Sequence, residues 1–275
     1  MEEPASPENT LLSVDKLCIS IGQPAVEAVR GIRFAINRGE ILGLAGESGS
    51  GKSVTALSLT RLLPPSASPG YSGEVELNGV PGNLLEMTES RLRQIRGPRI
   101  AYVFQEPSSS FNPVFSIRSH LEEILKLQGV GGKPRLAAIR QAMEEVGIEP
   151  SQENLEAYPG SFSGGMLQRM AIACALLYKP DLLIADEPTT ALDTSTQKRI
   201  VELLMQLNRE HNMAILFISH NLGLLKQLAG RLLVMKSGEI VESGKADAVL
   251  RSPRHAYTRE LVRSIPKLKL AGDDH

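Results

Sequence analysis

The chain has 275 residues, of which 42% are apolar and 22% are charged, so it can build one large α/β domain or a core with a subdomain, and a disordered chain is excluded. Its 30 lysines and arginines nearly balance 31 acidic residues, so no overall basic charge points to nucleic acid. Cys18 and Cys174 are the only cysteines, which excludes a disulfide framework or a cysteine metal cluster, fits a reducing cytoplasm and predicts two small core residues.

The N-terminus predicts neither a signal peptide nor a membrane anchor. Residues 1–8 are acidic and contain proline, without the basic start and apolar stretch of a signal peptide, and we expect residues 1–10 to form a loose tail. The longest apolar runs, such as residues 213–218, are far shorter than the roughly 20 residues that cross a bilayer. Any membrane role would therefore need another subunit.

The first part of the chain predicts β structure. Residues 11–34 have strand-like apolar spacing interrupted at Gly22-Gln23-Pro24, which favours two antiparallel strands. Residues 73–79 alternate between polar and apolar side chains and end at Asn78-Gly79, a pair typical of tight turns. We expect this region to be a small sheet attached to the core.

Residues 46–53 read Gly-Glu-Ser-Gly-Ser-Gly-Lys-Ser, after the apolar run 41–45 and before a predicted helix at 53–63. This strand-loop-helix order is that of a phosphate-binding P-loop, although the letters alone would also fit a glycine- and serine-rich turn. Such glycines let backbone N–H groups turn toward phosphate oxygens, and the helix start adds positive charge. We expect Lys52 to reach the β- and γ-phosphates and Ser53 to bind Mg²⁺. The predicted nucleotide-binding residues of this segment are Gly46, Glu47, Ser48, Gly49, Ser50, Gly51, Lys52, Ser53 and Thr55.

A mostly helical insertion follows a short buried strand. Residues 100–104 predict that strand, which ends at Gln105-Glu106-Pro107 because proline stops regular structure. Residues 117–127 and 135–146 have helical apolar spacing. Ser163 is expected to cap the next helix, which ends before Pro180.

The next apolar strand presents two acids. Residues 181–185 are nearly all apolar and are followed by Asp186 and Glu187, at the carboxyl end of a strand, where open parallel α/β sheets bind ligands. A helix at 196–211 and a strand at 213–218, followed by His220, complete another βα repeat. Short segments at 231–235 and 239–242 predict the last strands.

Taken in order, these motifs resemble the ATPase subunit of ATP-binding cassette (ABC) transporters over residues 11–265. The resemblance implies an α/β fold with a P-loop NTPase core, a small antiparallel β-subdomain and a helical ABC subdomain. It implies an ABC domain at residues 11–251, with the helical subdomain at about 106–177. Residues 252–275 are then a C-terminal extension. It also implies ATP and Mg²⁺ as cofactors.

The resemblance implies catalytic roles at the strand ends. Gln105 matches the Q-loop residue that senses Mg²⁺ and the attacking water and links the nucleotide to membrane subunits. Asp186 matches the Walker B aspartate, so the implied metal-binding residues are Ser53, Gln105 and Asp186. Glu187 matches the general base, and His220 matches the switch histidine near the γ-phosphate.

A second set of residues is implied to act on a partner ATPase. Ser163-Gly164-Gly165 matches the signature motif, which closes over the γ-phosphate of ATP bound to the partner. A helix start with two glycines can approach phosphate closely, and one chain needs one ATP, so dimerisation explains this spare anion site. Asp193 matches the D-loop at the dimer interface.

Further details resemble the oligopeptide, dipeptide and nickel importer group. The matching segments are residues 105–107, 111–113, 162–166 and 252–258, followed by Leu261 and Ile265-Pro266. Ile21 falls where many relatives stack an aromatic residue on adenine, which bears on nucleotide affinity. Some members bind an iron-sulfur cluster near the C-terminus through cysteines, and no cysteine follows Cys174, so we expect none.

The sequence therefore predicts the ATP-hydrolysing subunit of an importer for oligopeptides or dipeptides, peripheral on the cytoplasmic face of the inner membrane. The implied partners are a second, non-identical ABC ATPase, two transmembrane permease subunits and an extracytoplasmic substrate-binding protein, with no nucleic acid. The alternatives are an importer ATPase for nickel or another small solute, a soluble ABC ATPase acting on nucleic acid, and a non-hydrolysing regulatory subunit. Intact Lys52, Glu187 and His220 argue against the last.

Overall fold

The computed structural model describes residues 9–264, and it contains two β-sheets. Most of the predicted loose tail and the C-terminal match at Ile265-Pro266 lie outside the described residues. The strands are β1 (Thr10–Ile21), β2 (Val26–Asn37), β3 (Ile41–Ala45), β4 (Gly70–Leu77), β5 (Ile100–Val103), β6 (Leu182–Asp186), β7 (Ala214–Ser219), β8 (Arg231–Lys236) and β9 (Glu239–Lys245).

The helices lie between and after these strands. They are α1 (Lys52–Ser58), α2 (Glu89–Ile95), α3 (Ile117–Leu127), α4 (Gly132–Glu145), α5 (Gln152–Glu156), α6 (Gly164–Leu176), α7 (Thr194–His211), α8 (Leu222–Leu228), α9 (Ala246–Arg251) and α10 (Ala256–Arg263). Within residues 9–264, none of these helices has both the length and the apolarity required to span a bilayer.

The main sheet has the strand order β5-β6-β7-β3-β8-β9. The first five strands are parallel, and β9 pairs antiparallel with β8. The predicted α/β core is confirmed. Because β3 lies between β7 and β8, the loop that follows β3 emerges at the middle of the carboxyl edge, where such sheets bind ligands.

Strand β6 explains why the parallel strands have almost continuous apolar sequences. All of its residues are buried, and successive side chains point to opposite faces of the sheet. Leu183 and Ala185 pack into one hydrophobic core, while Leu182 and Ile184 pack into the other. A sheet covered on both faces needs apolar residues at every position, not at alternate ones.

The small sheet has the order β2-β1-β4 with antiparallel pairs throughout. This confirms the two antiparallel strands predicted at residues 11–34. Strand β4 begins at Gly70, earlier than the predicted start at Gly73, and the chain then turns so that the Val80 N–H donates to the Leu77 carbonyl (2.9 Å). Strand β2 also contacts β9, which joins the two sheets.

Helices α3 to α6 lie between β5 and β6 in the sequence and pack together over the same core cluster. The prediction for residues 117–127 is confirmed by α3. Helix α4 begins at Gly132, earlier than the predicted residue 135. Pro134 lies in its first turn, where the N–H groups have no partner within the helix, so a proline is tolerated there.

Helix α1 is shorter than the predicted helix at residues 53–63. It ends at Ser58, and Arg61 has a positive φ of 53°. The two prolines at residues 64 and 65 follow, and a residue before proline is disfavoured in the helical conformation. The chain therefore leaves the helix sooner than the apolar pattern indicates.

Both cysteines are partly buried rather than sealed in the core. The Cys18 Sγ accepts a hydrogen bond from the Gly31 N–H at 3.1 Å. Cys174 lies on α6 against the core, and burial raises the pKa of its thiol to about 12. At neutral pH this thiol is therefore held in its unreactive, protonated form.

The contact between α8 and β3 predicts a strong effect of substituting Gly43. An added Cβ at Gly43 would lie 2.8 Å from Leu225 Cδ2 and 2.9 Å from Leu232 Cδ1, so Gly43→Ala should push α8 away from the sheet. We expect it to lower the free energy of unfolding by about 1–3 kcal/mol in urea denaturation. The control is Gly230→Ala, because an added Cβ there meets no atom within 4 Å. Equal stability of the two variants would contradict this packing.

Candidate functional site

Residues 46–53 form the loop between β3 and α1. Gly49 and Gly51 have φ values of +79° and +104°, in the left-handed region that favours glycine. An added Cβ at Gly51 would lie 2.6 Å from the Ala28 carbonyl oxygen. Glycine is therefore required at position 51 for the loop to pack against β2.

The Lys52 ammonium lies inside this loop. Its Nζ donates to the carbonyl oxygens of Gly46 (2.9 Å) and Glu47 (2.8 Å) and lies 3.9 Å from the Glu187 Oε1. Burial lowers the pKa of Lys52, and the nearby charges of Glu187 and Asp186 oppose that shift. The arrangement holds one cation between two backbone carbonyl oxygens and the Glu187 carboxylate.

Asp186 ends β6 beside the start of α1. Its Oδ1 accepts a hydrogen bond from the Ser53 hydroxyl (3.1 Å), and its Oδ2 accepts one from the Tyr102 hydroxyl (3.4 Å). Burial raises the pKa of Asp186, and the Ser53 hydrogen bond partly opposes this. Burial also raises the pKa of Tyr102 above its usual range, so its hydroxyl stays a donor.

Ser53 and Asp186 fit a Mg²⁺ site. Mg²⁺ takes oxygen ligands and is usually held by one or two carboxylates together with substrate phosphates and waters. The Ser53 hydroxyl and the Asp186 carboxylate are adjacent and supply oxygen atoms of this type. Across residues 9–264 no group of three or more His, Cys, Asp or Glu side chains is arranged to hold a metal, so phosphate oxygens would complete such a site.

Glu187 is held in an uncommon backbone conformation. Its φ is +46°, and its N–H donates to the Ile218 carbonyl at 3.0 Å. The Oε2 atom accepts a hydrogen bond from the Thr190 hydroxyl (2.8 Å) and lies 2.9 Å from the His220 Nδ1. Non-glycine residues at positive φ are concentrated at functional sites, where surrounding contacts hold the strain. Here those contacts aim the carboxylate toward Lys52.

One cavity of about 760 Å³ brings most of the predicted residues together. Ser50 and Thr55 are buried behind the loop, and the Thr55 hydroxyl donates to the Gly51 carbonyl at 2.9 Å, which makes Thr55 a support of the loop. The predicted site residues that line the cavity are Gly46, Glu47, Ser48, Gly49, Gly51, Lys52, Ser53, Gln105, Glu187 and His220.

The Ser163-Gly164-Gly165 segment and Asp193 do not line this cavity. Ser163 caps α6, as predicted, by accepting a hydrogen bond from the Met166 N–H. An added Cβ at Gly165 would lie 2.4 Å from Thr196 Cγ2, so α6 begins close against α7. The two anion sites expected from the sequence are therefore separate within one chain.

Several residues at the site were not predicted to contact it, although Leu261 was matched for its family resemblance. Tyr102 and Thr190 bond to the two acids, and Leu261 lines the cavity. Tyr257 reaches the loop, where its hydroxyl accepts a hydrogen bond from the Glu47 N–H at 2.9 Å. Position 257 fell within a segment matched for its family resemblance, which gave no indication of contact with the loop.

Comparison with protein families gives two matches. Residues 29–190 match the family described as ABC transporter. Residues 241–274 match the family described as the C-terminal region of oligopeptide/dipeptide transporters. The first match spans the P-loop, Gln105 and the Asp186-Glu187 pair, and the second contains α10.

Curated relatives are similar over most of this chain. A peptidoglycan transport ATP-binding protein of Agrobacterium fabrum is 44% identical over 94% of this chain and 47% of its own length. A glutathione import ATP-binding protein of Salmonella typhimurium is 42% identical over 94% of this chain and 42% of its own length. This chain thus spans less than half the length of those two relatives. A Brucella ovis relative whose name refers to peptide import is 44% identical over 88% of this chain and 73% of its own length.

Solved structures share the fold. The ATP-binding cassette MJ0796, in a dimeric post-hydrolysis state bound to ADP and Pi, has a TM-score of 0.74 and 25% identity over 86% of this chain and 99% of that chain. The cbiO1 protein of Clostridium perfringens, part of the ABC transporter complex cbiONQ, has a TM-score of 0.74 and 24% identity over 90% of this chain and 97% of that chain.

Asp193 caps α7, and two substitutions of Asp193 test this role. Its Oδ1 accepts hydrogen bonds from the Ser195 and Thr196 N–H groups, and bonds from these two residues hold the pKa of Asp193 below its usual 3.8. Asp193→Ala should lower the thermal midpoint by a few degrees, whereas Asp193→Asn, which keeps an acceptor oxygen, should lower it less. Because the folded-state pKa is depressed, the carboxylate contributes fully above pH 3.8 and its contribution is lost in more acidic solution. Equal midpoints for the two variants at neutral pH would contradict the capping role.

Proposed function

Because this chain belongs to the ABC transporter family, we propose that it is the ATP-hydrolysing subunit of an importer for oligopeptides or dipeptides. The main support for this proposal is that the P-loop, with Lys52, faces Glu187 and His220 within one cavity. The C-terminal family match and the relatives named for peptide, glutathione and peptidoglycan support a peptide-like cargo.

The P-loop binds the phosphates of ATP. Its glycines allow backbone N–H groups to face phosphate oxygens, and the first-turn N–H groups of α1 have no partner within the helix. The Lys52 ammonium neutralises charge on the β- and γ-phosphates, where charge must be stabilised during phosphoryl transfer. Ser53 and Asp186 would hold Mg²⁺, and Gln105 lines the same cavity as Ser53. When bound, Mg²⁺ supplies additional charge neutralisation on the phosphate oxygens.

Glu187 orients the water that attacks the γ-phosphorus. The carboxylate accepts a proton from the water as the water oxygen bonds to the γ-phosphorus, and the bond from that phosphorus to the ADP oxygen breaks, which releases ADP and phosphate. Thr190 and His220 hold the Oε2 atom of Glu187. These two contacts fix the orientation of the carboxylate. His220 thus positions the general base and reaches the γ-phosphate end of the cavity.

A second cassette completes the site. Ser163, Gly164 and Gly165 lie at the start of α6 and away from the P-loop cavity of their own chain. A helix start with two glycines suits phosphate, and its expected ligand is the γ-phosphate of ATP on the partner cassette. Asp193 lies at the same interface. A related, non-identical ATPase is the expected partner, and ATP-driven closure of the pair moves the membrane subunits.

An apolar groove next to Gln105 suits the membrane subunits. The groove has a volume of about 330 Å³ and lies between β5 and the helices α3 and α6. Two of its lining residues, Phe104 and Leu127, leave 40% and 76% of their surface exposed. Phe104 lines the groove and directly precedes Gln105, which lines the nucleotide cavity. The groove and the cavity are therefore adjacent along the chain. We place two permease subunits on these grooves of the ATPase pair, at the cytoplasmic face of the inner membrane.

The remaining alternatives have less support. Nickel or another small solute would use the same ATPase chemistry, but the names of the relatives refer to peptides and peptide-containing molecules. A role on nucleic acid has no support from the overall charge, since the net charge is −1. The membrane subunits and the extracytoplasmic binding protein select the cargo.

Substitution of Glu187 tests the mechanism. Glu187→Gln and Glu187→Ala should retain MgATP binding, while turnover falls by at least about 100-fold because the water loses its base. Lys52→Ala is the matched control and should lose binding as well. Nucleotide titration and phosphate release measure the two properties. Turnover at the unchanged rate in Glu187→Ala would refute the assignment of the base.

Recovery from native membranes tests the transport role. The chain should copurify with two permease-like membrane proteins and a second cassette ATPase. Leu127→Asp, in the groove, should lose these partners while it still binds MgATP, because a charged group is costly to bury. Val26→Asp is the control, since Val26 is 61% exposed and lies away from the groove. Recovery with ribosomes or nucleic acid, and without membrane proteins, would overturn the transport role and leave the ATPase chemistry standing.

A further inference from the structure

Helix α10 is fixed against the P-loop by contacts at its start. The Glu242 carboxylate accepts hydrogen bonds from the Arg254 N–H (2.8 Å) and the His255 N–H (3.0 Å). Two residues after His255, the hydroxyl of the buried Tyr257 accepts a hydrogen bond from the P-loop N–H of Glu47 (2.9 Å). The Lys236 ammonium lies 4.6 Å from the centre of the Tyr257 ring. The helix is therefore tied to both the sheet and the loop.

The face of α10 that carries Tyr257 continues into the nucleotide cavity. Leu261 lies four residues after Tyr257, and residues at this spacing share one face of a helix. Leu261 is partly buried, packs beside the core and lines the cavity of about 760 Å³. The exposed Ser264, which follows α10, also lines the cavity. The C-terminal helix is thus one wall of the site, formed far along the chain from the P-loop.

The P-loop divides the cavity into two flanks. Gln105, Glu187 and His220 follow β5, β6 and β7, on one side of β3. Lys236 and Glu242, which hold α10, belong to β8 and β9 on the other side of β3.

The small sheet lies on the same flank as α10. The Arg30 N–H of β2 donates to the Gly238 carbonyl (2.8 Å) in the turn between β8 and β9. The apolar cavity residues Ile21 and Ala28 belong to this sheet. Ile21 and Leu261 therefore line the flank opposite the acids.

We propose that Leu261 of α10 contacts the base of the bound nucleoside triphosphate and, together with Ile21, forms the base-binding wall of this site. The inference rests on the proposed function, because hydrolysis requires the γ-phosphate to face Glu187 and His220. The base, at the other end of the nucleotide, then points to the flank with Ile21 and Leu261. Two aliphatic side chains bury the faces of the base, since apolar surfaces bind such ligands by exclusion of water.

The affinities for two ligands distinguish a contact between Leu261 and the base from a general effect of Leu261 on the P-loop. The full chain is titrated with MgATP and with magnesium tripolyphosphate, which has the phosphates and lacks the base. Leu261→Ala should weaken ATP binding roughly three- to tenfold, from the loss of apolar contact, and leave tripolyphosphate binding unchanged. Leu261→Met should keep most of the ATP affinity. Val262→Ala, the neighbouring α10 substitution outside the cavity, should bind both ligands as wild type does.

Three outcomes would contradict the inference. Equal ATP affinity of Leu261→Ala and wild type would overturn the base contact alone. Equal losses of ATP and tripolyphosphate binding by Leu261→Ala would also overturn it, because the side chain would then act through the loop or the fold. Failure of the unchanged chain to bind MgATP would overturn the proposed function and this inference together.

Discussion

The buried ammonium of Lys52 is the constraint on which the rest of the site depends. Burial lowers the pKa of Lys52 and raises that of Asp186, so both charged forms are disfavoured where they lie. The two residues stay close because β3 and β6 belong to one sheet, with β7 between them. A phosphate anion would favour the charged ammonium, and a divalent cation would favour the carboxylate. Charge in this site is therefore stabilised most when both ligands bind together.

Sequence was sufficient where neighbouring residues determine the structure. The buried strands β6 and β7 follow from continuous apolar runs, and Ser163 follows from the preference for serine at a helix start. The predicted ends were less accurate. Helix α1 stops at Ser58 because the backbone at Arg61 turns before the prolines, and α4 includes Pro134 because its first turn tolerates proline. These ends depend on local backbone conformation, which apolar periodicity does not report.

Contacts between distant parts of the chain could not be predicted. Tyr257 bonds to the loop at Glu47 across 210 residues of sequence, and Tyr102 bonds to Asp186 across 84. Local propensity contains no information on such pairs, because sheet order and helix docking bring them together. The Tyr257 contact joins α10 to the nucleotide cavity, so this helix of the segment that resembles the importer group is part of the site.

The two segments that we propose to bind anions are separate in this chain, since Ser163 lies outside the cavity that Lys52 and Glu187 share. Our central claim is therefore that each hydrolytic site needs two cassettes. The most direct test is the rate of MgATP hydrolysis per chain, measured over a range of concentrations of this chain and of the second cassette recovered with it. The account predicts a rate per chain that rises with cassette concentration as paired species form. A constant rate per chain, from protein that sediments as a monomer, would contradict it.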